Sequence, residues 1–415
     1  MGRQKRSWLK GIGIIGVIFT FGILMVVPLE CLAVKPNSIV VAMIGDFTGP
    51  YAPMIGPAAP GAEDACQYIN EELGGIKGVK IKLVFRDNAG KASLGLQQYV
   101  ELIEMKPKPL LLCVPHTPTA EALREKVLAD DMIGIFPSTI EDLFPVGNTF
   151  GYLPLYATQD GLVLKYLKDN WKEKRNLRVA IITWDNSFGR SILVPEFSEY
   201  AKKIGVDIVA TELFSGKDID VTTQMARIRE KNPDWLLTKT IAGGPVAIMK
   251  AVRELGMKVK LACSGLDWGT VRIDPTLFED CISAIPSASF DDLNHPGIKS
   301  ILTYMKKNNR SIKEQTYYYI VGWEYILMVH KVISDAVDKV GWDKLNTATI
   351  KNELFNLTNW EPMNGVVKVS YTKNRPVPFW TVIYKIKDGK LVPPGGVGGH
   401  GKFAEGPDMT PGRFR

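Results

Sequence analysis

Ile39-Val40-Val41-Ala42-Met43-Ile44, then Gly45-Asp46-Phe47-Thr48-Gly49-Pro50-Tyr51, begins the stretch whose reading decides the fold. The first six residues have the composition of a strand, and the next seven form a turn rich in glycine and proline. Gly61 to Leu73 has helical spacing and is closed by Gly74-Gly75. Val79 to Phe85 reads as a second strand that ends at Arg86-Asp87. Strand, loop, helix and strand make one βαβ unit. The loop after its first strand opens at the carboxyl edge of a parallel sheet, where open α/β folds bind small ligands.

Upstream lie Arg3, Lys5, Arg6 and Lys10, an apolar run from Gly11 to Leu29, and Cys31-Leu32-Ala33. A basic start, an apolar centre and small residues at the end form the pattern of a secretory signal peptide, here residues 1–33, with cleavage expected after Ala33. A retained membrane anchor is the alternative, because the run is just long enough to span a bilayer. Lipid attachment at Cys31 fits less well, since Glu30 stands where a small residue is preferred. Cleavage places the mature chain in the periplasm. Its length, about 380 residues, exceeds one ordinary core and calls for two lobes. Losing four basic residues and Glu30 lowers the formal net charge from +7 to +4. That mild excess, without a dense Lys/Arg block, does not argue for a nucleic-acid partner. Export also puts the chain where disulfides persist. Cys66 and Cys113 fall in apolar patterns and read as core, whereas a bridge between Cys263 and Cys281 is left open.

Downstream, strand and helix signals alternate without a break. Gly95 to Met105 is amphipathic, with Leu96, Tyr99, Val100 and Ile103 at helical spacing. Leu110 to Val114 is a short continuous apolar run, as expected of a strand buried on both faces. Thr119 to Asp130 reads as helix and Ile133 to Phe136 as strand. After Tyr152-Leu153-Pro154 the pattern restarts: helix 161–171, strand 178–183, helix 195–204, strand 207–212 and helix 221–231. Strand 235–240, helix 245–255 and strands 260–264 and 282–286 follow. Two such series imply an α/β protein with two doubly wound parallel-sheet lobes.

The last third carries helices over 298–307, 317–340 and 347–357 and strands over 365–371 and 379–387, too few strands for a third sheet. It is expected to complete both lobes, so that the chain crosses between them near 153–160, 286–297 and 361–378, a three-segment hinge. The expected division is 34–153 with 291–362 as lobe 1, and 154–290 with 363–392 as lobe 2. The tail, 393–415, is rich in Gly and Pro and lacks periodicity, and is expected to be loosely ordered.

His116, His295, His330 and His400 are scattered, and none has a partner at metal-ligand spacing, so no metal site is expected. Neither a nucleophile elbow nor a Walker loop occurs. Gly396-Val397-Gly398-Gly399-His400-Gly401 matches the glycine fingerprint of dinucleotide folds, but no helix follows it. No spacing selects Asp267, His116 and Ser138 as a triad. With export and a hinge, these absences favour binding over catalysis, without a cofactor.

The loops at the strand ends are polar. Thr117 is placed to cap a helix with Pro118 at its first position, and Ser138 and Glu141 have capping-box spacing. Two adjacent strand ends would then present hydroxyls and free N–H groups to one place, which suits a carboxylate; helix capping alone is the plainer alternative. In the second series, Phe188 and Trp268 are candidate apolar walls of a cleft and Asp267 a candidate partner for an ammonium group. Core packing for the aromatics and a solvated loop acid are the competing readings. The run Tyr317-Tyr318-Tyr319, with Trp323 and Tyr325, reads as core and surface of one helix.

Several of these pieces resemble the branched-chain amino acid binding proteins of ABC importers. They are Thr48-Gly49-Pro50-Tyr51-Ala52, Tyr68-Ile69-Asn70, Gly74-Gly75-Ile76-Lys77-Gly78, and Asp87. Asp185 with Phe188-Gly189, Asp220-Val221-Thr222, Asn232-Pro233-Asp234-Trp235 and Gly365-Val366-Val367 continue the match in the same order. The resemblance implies a type I periplasmic-binding fold whose two lobes close on a ligand. It implies that Thr117, Ser138 and Thr139 hold a carboxylate, and that Phe188 stands where the family commonly has a tyrosine. An acidic residue for the amino group falls near Asp267. Ile140 replaces a small polar residue, and His116 stands beside Thr117. The turn ending at Tyr51 is expected to shape one wall. The function implied is a non-catalytic receptor that delivers an amino acid or other small carboxylate to membrane permease subunits. A sensor lobe reporting to a membrane partner is the second reading, and a secreted two-lobed enzyme the third.

Overall fold

The computed structural model describes residues 35–144, 147–372, 375–393 and 401–411. The expected signal peptide and the glycine run 396–400 lie outside them. The first half of the chain runs β1 (Ile39–Gly45), α1 (Ala52–Ile55), α2 (Ala58–Glu72), β2 (Ile81–Asp87), α3 (Ala92–Ile103), β3 (Leu111–Cys113), α4 (Thr117–Ala129), β4 (Ile133–Phe136) and β5 (Thr149–Gly151). The second series runs α5 (Tyr156–Asp169), β6 (Leu177–Trp184), α6 (Ser187–Arg190), α7 (Pro195–Lys203), β7 (Val206–Phe214), α8 (Thr222–Arg229), β8 (Trp235–Thr238), α9 (Gly243–Glu254), β9 (Lys260–Ser264), α10 (Trp268–Val271) and β10 (Ile282–Ile285). Then come α11 (Pro296–Lys307), α12 (Tyr317–Val340), α13 (Thr347–Phe355), β11 (Trp380–Lys387), β12 (Lys390–Val392) and β13 (Ala404–Glu405).

Five parallel strands in the order β2-β1-β3-β4-β5 form the first sheet. All seven residues of β1 are buried, as a central strand covered on both faces requires. The second sheet has the order β12-β11-β10-β9-β8-β6-β7. Its strands β6 to β10 are parallel, and β11 and β12 add an antiparallel edge. The chain passes between the sheets three times: between β5 and α5, between β10 and α11, and between α13 and β11.

The opening βαβ unit is completed by a helix from the far end of the sequence. α12 lies on α2, and the Tyr325 hydroxyl reaches the carbonyls of Ala42, at 3.1 Å, and Leu111, at 3.0 Å, on two strands of the first sheet. The helices approach backbone to backbone. A Cβ on Gly61 would lie 2.1 Å from the Tyr319 carbonyl oxygen, and one on Gly322 would lie 2.2 Å from that of Ala58. Beside this crossing the buried Asp64 receives the Tyr319 hydroxyl and, at 2.7 Å, the Arg310 guanidinium.

Three expectations need correction, and the bridge left open between Cys263 and Cys281 does not form. Residues 365–371 are not a strand: Met363, Asn364 and Gly365 all adopt positive φ, Val366 N–H returns to the Pro362 carbonyl, and only Val369 bridges to Trp360. An Asn-Gly turn signal therefore prevails over the valines that follow it. Cys263 and Cys281 are both buried and both free, like Cys66 and Cys113. The described part of the tail is packed rather than loose, because β13 pairs with Trp380 and Thr381 of β11 and Met409 is buried. The helix expected from Gly161 begins at Tyr156, at the first crossing.

The glycine crossing gives a direct test of this packing. Gly322→Ala is expected to destabilise the protein by about 1–3 kcal/mol, because a backbone contact cannot yield as a side chain can. Urea unfolding measures it, and a variant as stable as the wild type would contradict the close approach.

Candidate functional site

Loops from both sheets converge on one cleft. The first sheet supplies the turn after β1, Pro115 to Pro118 after β3, and Pro137 after β4; the second supplies Trp184 to Phe188, Lys239 to Gly244, and Ser264 to Asp267. The turn after β1 is held from below by two carboxylates. Asp46 accepts from Gly49 N–H at 2.6 Å and Tyr51 N–H at 2.9 Å. Asp87 accepts from Phe47 N–H at 2.9 Å, Ala89 N–H at 3.0 Å and the Thr48 hydroxyl at 2.5 Å. Burial opposes ionisation of Asp87, yet these donors hold it below the usual carboxylate range. The result is a fixed Tyr51, whose ring stands 5.8 Å from that of His116 and 6.0 Å from that of Trp184 across the cleft.

Tyr51, His116 and Thr117 line a small cavity, about 40 Å³, with Trp184, Phe188 and Tyr318. A neighbouring cavity of about 30 Å³ shares Phe188, Ile241 and Tyr318 and adds Tyr156, Lys239, Asp267 and Tyr317. Each has room for about one water. Outside them, Tyr51 and Trp184 open into a groove of about 780 Å³ floored by residues 213–219 and 242–244.

His116 sits in a defined tautomer. Asn88 Oδ1 accepts from Gly90 N–H at 2.9 Å, so Asn88 Nδ2 donates to the Thr119 hydroxyl at 2.9 Å. That hydroxyl lies 2.8 Å from His116 Nδ1, and Asn88 Nδ2, which can only donate, lies 3.3 Å from the same nitrogen, an arrangement that suits an unprotonated Nδ1 with the ring proton on Nε2. Burial lowers the imidazole below its ordinary value, against the pull of Asp46.

Lys239 follows β8 directly and is only 1% exposed. Its ammonium lies 3.2 Å from Asp160 of α5 and donates to the Ser264 hydroxyl at the end of β9. Asp160 also accepts from Ser264 N–H at 2.8 Å and Ser264 Oγ at 2.9 Å. Burial pushes the ammonium down and the carboxyl up, while each partner opposes the shift of the other. Lys239 Nζ stands 4.3 Å from the ring centre of Tyr156 and 5.4 Å from that of Phe188. Those two rings meet edge to face at 5.0 Å.

The residues singled out in the sequence divide into two groups. Tyr51, His116, Thr117, Phe188 and Asp267 line the cavities. Ser138, Thr139 and Trp268 do not: Ser138 Oγ donates to the Val114 carbonyl at 3.2 Å, and Thr139 Oγ1 donates to that of Pro154 at 2.7 Å. Trp268 Nε1 donates to Ser289 Oγ at 3.1 Å, and its ring packs on Phe290. Asp267 caps α10, one oxygen accepting from Thr270 N–H at 3.0 Å and the other from Tyr317 N–H at 2.8 Å. Burial raises its carboxyl, and those N–H groups counter the rise. Thr117 is the first residue of α4 rather than its cap, the N-cap being His116.

Lys239, Asp160, Tyr156, Trp184 and Tyr318 were not singled out as site residues. A strand read to Thr240 hides Lys239, although a charged residue at the end of a buried run is an available signal. The aromatic pattern of its helix masks Tyr318, and Tyr156 falls in a crossing segment.

The comparisons with known proteins agree with this architecture. A family model described as periplasmic binding protein matches residues 38–390. The Leu/Ile/Val-binding protein homolog 3 of Brucella melitensis is 23% identical over 364 residues, which is 85% of this chain and 93% of that protein. A branched chain amino acid ABC transporter structure from Thermus thermophilus with bound valine superposes with a TM-score of 0.79 at 19% identity, covering 92% of this chain and 99% of the other. A solute binding protein of an ABC transporter from R. palustris, in complex with 4-hydroxybenzoate, gives 0.74 at 19% identity over 91% and 100%. The fold is the type I periplasmic-binding arrangement.

The Ser138–Glu141 capping box does not form, since the turn over Glu141–Leu143 is preceded by Ile140 and has no side-chain cap. Glu141 is buried instead, its Oε1 without a partner among the described residues. Burial raises its carboxyl from 4.5 to about 7, with Asp142 and Glu196 adding to the rise and Lys239 opposing it. The folded chain therefore binds this proton more tightly than the unfolded chain. The associated stability is complete below about pH 4.5 and is lost as the pH rises through about 7. Glu141→Gln is expected to gain roughly 1–3 kcal/mol over the wild type at about pH 8 and nothing near pH 4. Thermal melts at the two pH values check this; an equal difference at both would refute the assignment.

Proposed function

The chain belongs to the periplasmic binding protein family, and on that premise we propose that it is the extracytoplasmic solute receptor of an ABC importer. It closes two lobes on an amino acid or related small carboxylate and delivers it to the permease. Residues 1–33 are its export signal, removed after Ala33 to leave the mature receptor in the periplasm. The lobes, 34–153 with 291–362 and 154–290 with 363–392, move about the three crossings.

One observation carries the reading: a cleft between the carboxyl edges of two sheets, walled by Tyr51, Trp184, Phe188 and Tyr318 and supplied with the donors of His116, Thr117 and Lys239. Aromatic walls with a few convergent polar groups suit an organic anion with an apolar body. The relatives support the class, being Leu/Ile/Val-binding proteins by name, while the fold neighbour with 4-hydroxybenzoate supports an aromatic carboxylate equally well. The inner cavities are far smaller than any such ligand, which favours binding by opening and reclosing about the crossings.

A thermal-shift screen against amino acids and against aliphatic and aromatic carboxylates tests the proposal. At least one compound is expected to raise the melting temperature, remain chemically unchanged, and reduce the radius of gyration in solution scattering. Phe188→Ala is expected to weaken that compound about tenfold or more, the loss of roughly 1.5–3 kcal/mol of apolar burial. Turnover of the compound, or no stabilisation by any member of the panel, would contradict the receptor reading.

A further inference from the structure

The charge pattern of the cleft narrows the ligand further than the fold does. Among the described residues, Asp267 is the one acid lining the two inner cavities. Each of its oxygens already receives a backbone N–H, from Thr270 and from Tyr317, so it serves to join α10 to the start of α12. The remaining ionised group at the cavity wall is Lys239. Its partner Asp160 stands behind it, off the cavity lining and tied to Ser264 by two hydrogen bonds. The pair is neutral as a whole but turns its positive end to the cleft. Two hydrogen-bond partners, Asp160 and Ser264, account for two of the three ammonium N–H groups. Among the described residues no third hydrogen bond is made, and ring faces stand nearby, Tyr156 at 4.3 Å and Phe188 at 5.4 Å. A carboxylate is a far stronger acceptor than a ring face.

Two further groups that line the inner cavities can also donate. His116 Nδ1 is turned to Asn88 and Thr119, so Nε2 is the nitrogen left to donate. Thr117 adds a hydroxyl to the same cavity. A buried ion pair contributes little to stability for what its desolvation costs, and well-packed apolar residues would serve a mere wall as well. Its placement against a cavity points to recognition.

Resting on the receptor reading, we propose that Lys239 is the anion anchor of the cleft and that the ligand is an organic monocarboxylate with no ammonium group, its apolar body lying against Tyr156 and Phe188. An α-amino acid keeps its ammonium beside its carboxylate, so docking on Lys239 would bring two cations together in a site shielded from water. A plain carboxylic acid carries no such conflict.

Matched pairs that differ only in the amino group test this: phenylalanine against 3-phenylpropionate, and leucine against 4-methylpentanoate, with 3-phenylpropionamide as the uncharged control. Titration calorimetry of the full mature chain is expected to show each acid binding at least about tenfold tighter than its amino acid, and no binding of the amide. Lys239→Met alone would strand a buried carboxylate, so the informative variant is Lys239→Met with Asp160→Asn, its folding verified by circular dichroism. It is expected to lose at least about tenfold in affinity for the acids. Tighter or equal binding of an amino acid overturns the inference and leaves the receptor reading standing. So does unchanged acid affinity in the folded double variant. If neither member of either pair binds, the ligand class is wrong, and the receptor reading then stands or falls on the wider screen alone.

Discussion

An ammonium group taken out of water has to be compensated, and in this chain that requirement falls on Lys239. The compensation comes from three places at once: Asp160 on the first helix after the crossing, Ser264 at the end of β9, and the faces of Tyr156 and Phe188. Removing one member of such a set leaves a buried charge unpaired, at a cost of about 3–5 kcal/mol. The set therefore fixes α5 against the carboxyl edge of the second sheet. It also fixes Tyr156, whose hydroxyl reaches the Pro137 carbonyl of the first sheet's loops at 3.3 Å. The orientation of the cleft wall follows from where one positive charge had to be buried.

The crossing next to that site is tied with equal economy. Thr139 Oγ1 and Gln159 Nε2 both donate to the Pro154 carbonyl, at 2.7 Å each. A single exposed carbonyl would have cost little; a buried one needs a partner, and here it has one from each side of the crossing. Against the first sheet, α2 and α12 meet where Gly61 and Gly322 remove the side chains that would separate them. The first lobe is thus built from segments more than two hundred residues apart, which leaves the crossings as the seam about which the proposed closure turns.

Much of this was legible in the sequence. The strand and helix series follows from apolar periodicity, and the turn after Ile44 from Gly45, Gly49 and Pro50, because these signals are local. Convergence of Tyr51, His116, Thr117 and Phe188 followed from their places at strand ends, a rule of topology rather than of contact. What was not legible depended on pairing across the fold. Ser138 and Thr139 look like ligand hydroxyls until the Val114 and Pro154 carbonyls are found above them. Asp267 reads as an ammonium partner, and nothing local shows that Tyr317, fifty positions on, also donates an N–H to it. Lys239 looks like the end of a strand, and only the neighbouring strand and helix reveal that it faces a cavity. The valines of 365–371 suggest a strand for the opposite reason, since the local Asn-Gly turn sets the backbone there.

A crystal structure of the mature protein grown with 3-phenylpropionate is the most direct measurement. The carboxylate is expected within about 3 Å of Lys239 Nζ, with the phenyl ring between Tyr156 and Phe188 and both lobes in contact with the ligand. A ligand held by one lobe alone, or one seated with its carboxylate away from Lys239 while that ammonium keeps only Asp160 and Ser264, would contradict it.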